Sequence, residues 1–335
     1  MKKKTLFCIL LACLLLALWG CAAAPAADPA ETLTEPIPAE TAAESTAEAS
    51  VFPYTFTDAS GFQVTLTARP ERTAVLFSSL ADVWQTAGGV AAITVGDSVE
   101  RGFADETAVL VDDGSGRTIN LELLLEAKPD FVLYSTGIKE QVECAQLLRD
   151  AGIPTAGIEE DTFRNYLDLL KICTDILGTP EAYETYGTAV AQRVDAIVEQ
   201  AQNREDGPSH LFVRVGSSAK YTKAKTAENH FVGVMLDELG GKNIADAAPV
   251  LLDGLSIEEI VLQDPDMILY STMGKSADAE AYLQSLLADP VWKTLTAVEE
   301  GKVFLLPKDL FQYKPNARWD EAYQFLFDIL YGEAK

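Results

Sequence analysis

A repeated segment constrains the fold of this chain more than any other feature. "PDFVLYST" occupies residues 129–136 and "PDMILYST" occupies 265–272, so six of eight residues are identical in two copies that start 136 residues apart. Three weaker matches occur in the same order around them: "ADVWQTAGG" with "GVMLDELGG", "NLELLLEAK" with "SIEEIVLQD", and "AGIPTAGI" with "EGKVFLL". This long-period duplication predicts two similar lobes in one chain.

The pattern within each half predicts an α/β fold with parallel sheets. "YTFTDASGFQVTLTA" (54–68) alternates apolar and polar residues around a Ser-Gly turn, which indicates a hairpin. Helical stretches then alternate with short apolar runs, first "TAVLFS", "AAITVG", "DFVLYS" and "TAGI", and later "SHLFVRVG", "NIAD", "DMILYS" and "KVFLLP". Apolar runs of this kind, set between helices, are typical of a parallel sheet covered on both faces.

A long helix is predicted between the halves, over residues 179–205. Thr179 suits the N-cap and Pro180 the first helical position. Apolar residues follow at helical spacing: Tyr183, Tyr186, Val190, Val194, Ile197 and Val198. A helix of this length would span about 39 Å and could join an N-terminal lobe (51–178) stiffly to a C-terminal lobe (206–335). The alternative is an ordinary surface helix of one lobe.

The first 50 residues are predicted to lie outside the fold. "MKKK" followed by a short apolar run indicates a signal peptide (1–21), and "LWGC" ending at Cys21 is similar to a bacterial lipobox. Residues 22–50 contain acids but no basic or aromatic residue, which predicts a disordered acidic tether. We therefore expect a lipid anchor at Cys21, the alternative being an ordinary signal peptide with an incidental cysteine.

Charge and composition exclude several function classes. A net charge of −25 argues against nucleic acid or an anionic membrane surface as an electrostatic partner. The chain has two histidines and no ligand-spaced His/Cys cluster, so a bare metal site is not predicted. Cys144 and Cys173 fall in helical patterns and are predicted to be buried free thiols. No G-x-S-x-G elbow, Walker loop or H-E-x-x-H motif indicates an enzyme.

Several features taken together resemble the substrate-binding proteins of ABC importers for iron–siderophore, haem and cobalamin. They are the lipobox-like cysteine, the hairpin "TFTDASGFQVTL", the segment "NLELLLEAKPDFVLYST", the linking helix, and the segments "VGVMLDELGGKNIAD" and "FQYKPNARWDEAY". The resemblance implies a class III protein: two Rossmann-like lobes joined by one helix. A ligand would be held in the cleft between the lobes. It also implies a monomer without catalytic activity or cofactor, anchored on the outer face of the cytoplasmic membrane.

The same resemblance implies an ABC permease and its ATPase as partners. A ferric siderophore is the expected ligand, with haem or a corrinoid as alternatives. Two other function classes stay open from the residues alone. One is a surface lipoprotein enzyme, and the other is a ligand sensor.

Candidate ligand contacts follow from strand ends and from basic or aromatic loops. Tyr134 and Tyr270 end the repeated strands, and ligands of open α/β sheets bind there; alternatively, each packs inside its own lobe. Arginine, lysine and aromatic side chains suit an anionic chelate. The predicted contacts are Ser79, Arg101, Tyr134, Arg214, Tyr221, Lys223, Lys225, Tyr270, Lys314 and Arg318. Tyr313 belongs to the C-terminal loop that contains Lys314 and Arg318. His230 is a candidate axial ligand for haem iron.

Two glutamates hold equivalent positions in the repeat. Glu122 and Glu258 each stand seven residues before a Pro-Asp pair. The family resemblance implies that they dock onto arginines of the permease, whereas the alternative is a favourable charge in a first helical turn. The apolar neighbours are expected to face the sheet, namely Leu121, Leu124 and Leu125 in one copy and Ile257, Ile260 and Val261 in the other.

Overall fold

The computed structural model describes residues 51–114, 118–205, 207–274 and 276–332. The predicted signal peptide, Cys21 and the acidic tether lie outside the described residues. The described part begins with the predicted hairpin, in which β1 (Tyr54–Thr57) pairs antiparallel with β2 (Gln63–Leu66). Asp58 closes the turn because its Oδ1 accepts the backbone N–H groups of Ser60 (3.0 Å) and Phe62 (2.8 Å).

The first lobe, called the N-lobe, contains a five-stranded parallel sheet of order β5-β4-β3-β6-β7. Its strands are β3 (Thr73–Val75), β4 (Ile93–Thr94), β5 (Val109–Leu110), β6 (Phe131–Ser135) and β7 (Thr155–Ile158). Its helices are α1 (Ser78–Thr86), α2 (Gly96–Glu100), α3 (Leu121–Glu126), α4 (Lys139–Asp150) and α5 (Phe163–Leu177).

The linking segment is helical but not one uniform α-helix. It comprises α6 (Pro180–Tyr183), a π-helical turn (Glu184–Thr188) and α7 (Ala189–Gln202), so the helix ends three residues before the predicted end. The wide turn changes the apolar stripe, and Tyr186 is 41% exposed, not buried as the stripe predicted. The Tyr166 hydroxyl donates to the backbone oxygen of Tyr186 (2.8 Å) at this turn. Thr179 occupies the N-cap position as predicted, but its side chain makes no capping hydrogen bond; its hydroxyl donates to the Ala87 oxygen (2.7 Å).

The second lobe, called the C-lobe, repeats the parallel sheet in the order β10-β8-β11-β12, with β9 added antiparallel to β8. Its strands are β8 (Ser209–Val215), β9 (Lys223–Ala224), β10 (Lys242–Asn243), β11 (Met267–Thr272) and β12 (Val303–Leu305). Its α-helices are α8 (Phe231–Glu238), α9 (Ile244–Ala247), α10 (Ile257–Gln263), α11 (Ser276–Leu287), α12 (Thr296–Glu299), α13 (Lys308–Phe311) and α14 (Trp319–Leu330). Short 3-10 turns cover Ala219–Tyr221, Pro249–Leu252, Trp292–Thr294 and Asn316–Arg318.

One predicted strand of the C-lobe is wrong. The run "NIAD" forms a helix after its first residue, because the Asn243 side chain accepts the N–H of Ala245 (3.0 Å) and caps α9. The parallel-sheet prediction is confirmed in both lobes.

The repeated Pro-Asp pair fastens neighbouring strands at their amino ends. Asp130 accepts the backbone N–H groups of Glu71 (2.7 Å) and Arg72 (3.0 Å) just before β3, and Asp266 accepts that of Ser209 (2.8 Å) at the start of β8. Each aspartate precedes a central strand, β6 or β11, that pairs with the strand it fastens. The duplication therefore preserves one strand-to-strand clamp in each sheet.

Successive side chains of these central strands face two different apolar clusters. Phe131 and Leu133 face a large apolar cluster, whereas Val132 faces a separate cluster inside the N-lobe. On β11, Leu269 faces the same large cluster and Ile268 a cluster inside the C-lobe. One core therefore runs through both lobes, and it includes the linking-helix residues Val190, Val194, Ile197 and Ala201. Such continuous packing resists large relative movement of the lobes.

The predicted free thiols are confirmed, since Cys144 and Cys173 are unpaired and buried. Burial raises the pKa of both thiols, which makes them unreactive. Among the helices of the described residues, none has the length and apolarity needed to cross a membrane.

Candidate functional site

The carboxyl ends of the two sheets face one another, and side chains from both lobes meet there. The Arg101 guanidinium stacks on the Tyr313 ring, 3.9 Å from its centroid. Lys314 Nζ lies 2.8 Å from Asp161 Oδ1, and Asn316 Nδ2 donates to Asp82 Oδ2 (2.7 Å). The region enclosed by these contacts and by Arg214 and His230 is called the inter-lobe site below.

Sequence patterns did not indicate Asp161 or Asn316. Asn316 is buried, has a left-handed backbone (φ 50°), and also donates to the Ser79 backbone oxygen (3.0 Å). Its partners lie more than 230 residues away in the chain. A Pro-Asn pair indicates a turn but cannot indicate which distant surface that turn contacts.

Arg101 is held rigidly in the N-lobe wall of the inter-lobe site. Its Nη1 donates to Ser78 Oγ (2.8 Å), and that hydroxyl in turn donates to Asp97. Asp97 also lies 3.7 Å from Arg101 Nη1. Phe103 adds a second ring contact at 4.7 Å, so the guanidinium is held in place and can present its remaining donors to a ligand.

The N-lobe wall also contains a poorly solvated carboxyl group. Ser135 Oγ donates to Glu160 Oε1 (2.8 Å), whereas Glu160 Oε2 is buried without a hydrogen-bond partner. Burial raises the pKa of Glu160, and the Ser135 hydrogen bond and the charge of Lys314 only partly offset that effect. This wall therefore contains both an acceptor and a fixed cation.

The C-lobe wall is cationic. Arg214 lies at the end of β8, and no carboxylate of the described residues pairs with it. Its Nε is buried without a hydrogen-bond partner. Burial lowers the pKa of Arg214, and burial followed by the charges of Arg214 and Lys223 lowers the pKa of Lys225. Several positive charges therefore lie close together in a poorly solvated region, where each one disfavours the protonated form of its neighbours.

His230 lies within this cationic wall. Its ring stacks on Phe231 (4.8 Å between centroids) and meets Phe212 edge-on (5.1 Å). Burial, then the charges of Arg214, Lys314 and Lys225, lowers the pKa of His230 to about 2, so the imidazole is neutral at physiological pH. Within the described ranges, no three His, Cys, Asp or Glu side chains form a group that could hold a metal ion.

The two repeated tyrosines lie inside their own lobes. Tyr134 has no exposed surface, and its hydroxyl accepts from Arg149 (3.2 Å) and lies 3.2 Å from Ser60 Oγ. Gly157 on the adjacent strand makes room for it, since a Cβ there would lie 2.6 Å from that hydroxyl. Tyr270 is 8% exposed within the C-lobe cluster. This placement favours the alternative of local packing for both residues.

The other candidate residues are placed less centrally. Ser79 is buried and reaches the site through its backbone oxygen, whereas the hydroxyl that orients Arg101 belongs to its neighbour. Tyr221 is 52% exposed. Lys223 pairs with Arg214 across β9 and β8, which puts it at the edge of the cationic wall. Arg318 is exposed and bound to Asp309 and Glu321 (both 2.7 Å), so its charge is already paired.

Glu122 and Glu258 are exposed in the first turns of α3 and α10, as the repeat predicted. The expected orientation of their apolar neighbours is partly wrong. Leu124 and Ile260 are fully buried, but Leu125 and Val261 are 42% and 40% exposed. Leu121 and Ile257 are partly buried and pack against the same clusters as expected, so each short helix turns two of its three predicted apolar residues to the core. Each glutamate therefore shares its short helix with an exposed apolar residue.

The family follows from a sequence match over most of the folded part. A model of the family described as periplasmic binding protein matches residues 74–310. This chain belongs to that family. Its members are solute-binding proteins, so the chain is a binding protein and not an enzyme.

Known relatives of this periplasmic binding protein carry different ligand names. A cobalamin-binding protein of Halobacterium salinarum is 27% identical over 258 residues, which cover 75% of this chain and 67% of the relative. An iron-uptake system-binding protein of Bacillus subtilis is 24% identical over 207 residues, covering 61% and 63%. The periplasmic heme-binding protein RhuT of Roseiflexus sp. RS-1 superposes with a TM-score of 0.64 at 20% identity, covering 79% and 99%. These similarities establish the two-lobed fold, whereas the names of the relatives refer to different ligands.

Proposed function

We propose that this periplasmic binding protein captures an anionic ferric-siderophore-type chelate between its lobes and delivers it to an ABC permease driven by an ATPase. One observation carries the choice of ligand. Arg214 is half-buried at the inter-lobe site, with a buried Nε that lacks a hydrogen-bond partner and no paired carboxylate among the described residues. An anionic ligand would supply the missing acceptor and the missing negative charge.

The surrounding residues support an anion at this position. Lys225 and Lys314 lie close enough to His230 for their charges, together with that of Arg214, to lower its pKa. Burial and mutual repulsion of these cations make the cluster costly to maintain unless it serves binding. Haem and a corrinoid are the alternative ligands, because relatives are named for haem and cobalamin.

Ligand titration tests this proposal. Trp319 is buried beside Phe231, with ring centroids 5.8 Å apart, so its fluorescence should report on the inter-lobe site. The purified protein would be titrated with ferric citrate, a ferric hydroxamate, a ferric catecholate, haemin and cyanocobalamin. We expect saturable binding of at least one anionic ferric chelate, weakened by added salt. Binding of cyanocobalamin or haemin alone would instead favour the corresponding alternative.

Delivery is proposed to use Glu122 and Glu258. Equivalent carboxylates on the two lobes suit a permease with two equivalent cationic positions, and the exposed Leu125 and Val261 would add apolar contact beside each charge. The proposal also includes a monomeric receptor tethered by residues 22–50 to a lipid on Cys21. The tether would let the folded part, held at the outer face of the membrane, reach its permease.

Charge reversal tests the docking surface. Rim charges chiefly control encounter and orientation, so Glu122→Arg with Glu258→Arg should stop ligand uptake in cells while ligand affinity and melting temperature stay near those of the wild type. Glu181→Arg with Glu299→Arg is the matched control, because these exposed acids also occupy first helical turns. Normal uptake by the first double variant would refute docking through these glutamates.

A further inference from the structure

His230 receives more hydrogen-bond donors than its ring can accept. The backbone N–H of Val232 points at Nδ1 (3.2 Å), which makes His230 the N-cap of α8. Arg214 Nη1 lies 3.1 Å from Nε2. A neutral imidazole has one accepting nitrogen and one N–H, and a guanidinium can only donate. In one of these two contacts, therefore, two hydrogen-bond donors face each other.

Neither protonation state removes the conflict without another group. A second proton on the imidazole would turn both ring nitrogens into donors, and the low pKa of His230 already opposes it. Arg214 Nε, a further buried donor, has no partner. At least two donors are therefore left without acceptors at the same position, which is costly in a partly buried region.

We infer that a ligand oxyanion binds between His230 Nε2–H and the Arg214 guanidinium, while His230 Nδ1 keeps its hydrogen bond from Val232. This inference rests on the proposed function and specifies the ligand chemistry of the same site. One negatively charged oxygen would accept from both side chains and turn the donor conflict into two hydrogen bonds. Phe212 and Phe231 hold the imidazole in the plane that this arrangement needs.

The same geometry assigns His230 as a hydrogen-bond donor and not as an iron ligand. Coordination through Nε2 requires a free lone pair on that atom, so the remaining proton would move to Nδ1. A proton on Nδ1 would oppose the Val232 N–H and remove the cap of α8. A carboxylate or a similar oxygen-bearing chelate satisfies the site, whereas haem bound axially by His230 does not.

Two substitutions separate this role from helix capping. Asparagine and aspartate are both good N-caps, so His230→Asn and His230→Asp should both fold with an intact α8. Asparagine retains a donor toward the ligand, whereas aspartate places an acceptor against Arg214 and occupies the proposed oxyanion position. For the anionic ferric chelate that binds the wild type, we expect the Asp variant to bind at least about a hundredfold more weakly. The Asn variant should lose about tenfold or less.

Equal affinities of the Asn and Asp variants would overturn the inference and leave His230 as a cap. Failure of the wild type to bind any anionic ferric chelate would instead refute the proposed function. Nitrogen-15 NMR of the imidazoles is a second test, simplified because the chain has two histidines. With the diamagnetic gallium(III) form of the chelate bound, the proton of His230 should reside on Nε2. A proton on Nδ1, or a haemin complex whose axial histidine signature disappears in His230→Asn, would contradict it.

Discussion

Replacing Arg214 with methionine should stabilise the fold of the ligand-free protein while weakening ligand binding. Methionine retains most of the buried aliphatic stem and removes the charge. The unpaired Nε alone represents a cost of about 1–3 kcal/mol, and repulsion from Lys225 adds to it. We therefore expect Arg214→Met to raise the free energy of unfolding by about 1–3 kcal/mol, or the melting temperature by about 2–4 °C per kcal/mol. Affinity for the anionic chelate should fall about ten- to a hundredfold or more.

Urea denaturation without ligand, followed by chelate titration, measures both effects on the same variant. Arg318→Met is the control, because Arg318 is exposed and paired with Asp309 and Glu321. That change should alter the free energy of unfolding by less than about 1 kcal/mol and leave ligand affinity unchanged. If Arg214→Met lowered the free energy of unfolding by more than about 1 kcal/mol, Arg214 would be a stabilising residue and the reasoning from its unpaired charge would be wrong.

The remaining predictions concern motion and pH. Because one apolar core runs through both lobes and the linking helix, small-angle scattering should show only a slight change in radius of gyration on ligand binding, and a large contraction would contradict it. His210 is buried in β8, and burial lowers its pKa to about 4. Since the pKa of His230 is also lowered, to about 2, and unfolded histidine has a pKa of roughly 6.5, the unfolded chain binds more protons. The free energy of unfolding should therefore fall as pH drops below about 6.5, by about 1–2 kcal/mol per histidine between pH 7 and pH 5. The His230→Asn variant should lack the part of this pH dependence that comes from His230. An identical pH dependence of the free energy of unfolding in that variant and the wild type would show that His230 is not a buried neutral histidine.

The duplication predicted the two lobes, and the alternation of short apolar runs with helical stretches predicted the parallel sheet in each of them. Alternation within a strand has a period of two, however, and does not reveal which face meets which core. Tyr134 was accordingly expected near the ligand, although its side chain faces the interior of the N-lobe. Periodicity also fails in short helices, as the exposure of Leu125 and Val261 demonstrates.

The basic residues of the candidate site were predictable because they stand out in an acidic chain, but their grouping was not. Arg214 and Lys314 are 100 residues apart, and only the packing of β8 beside the C-terminal loop joins them around His230. The capping role of His230 gave no signal, since histidine is not among the preferred N-cap residues. The contacts of Asn316 and Asp161 across the lobes likewise depend on how the two sheets face each other, which no local pattern encodes.

The aspartate clamps have a consequence for how this architecture changes its ligand. Asp130 and Asp266 hold neighbouring strands in register at the amino ends of the sheets, whereas the inter-lobe site is built at the carboxyl ends. Loops at the ligand side can therefore change in length and composition without loosening the strand pairing that supports them. An architecture fastened on the side away from its ligand is free to diversify, and relatives named for cobalamin, iron uptake and haem are what such freedom would produce.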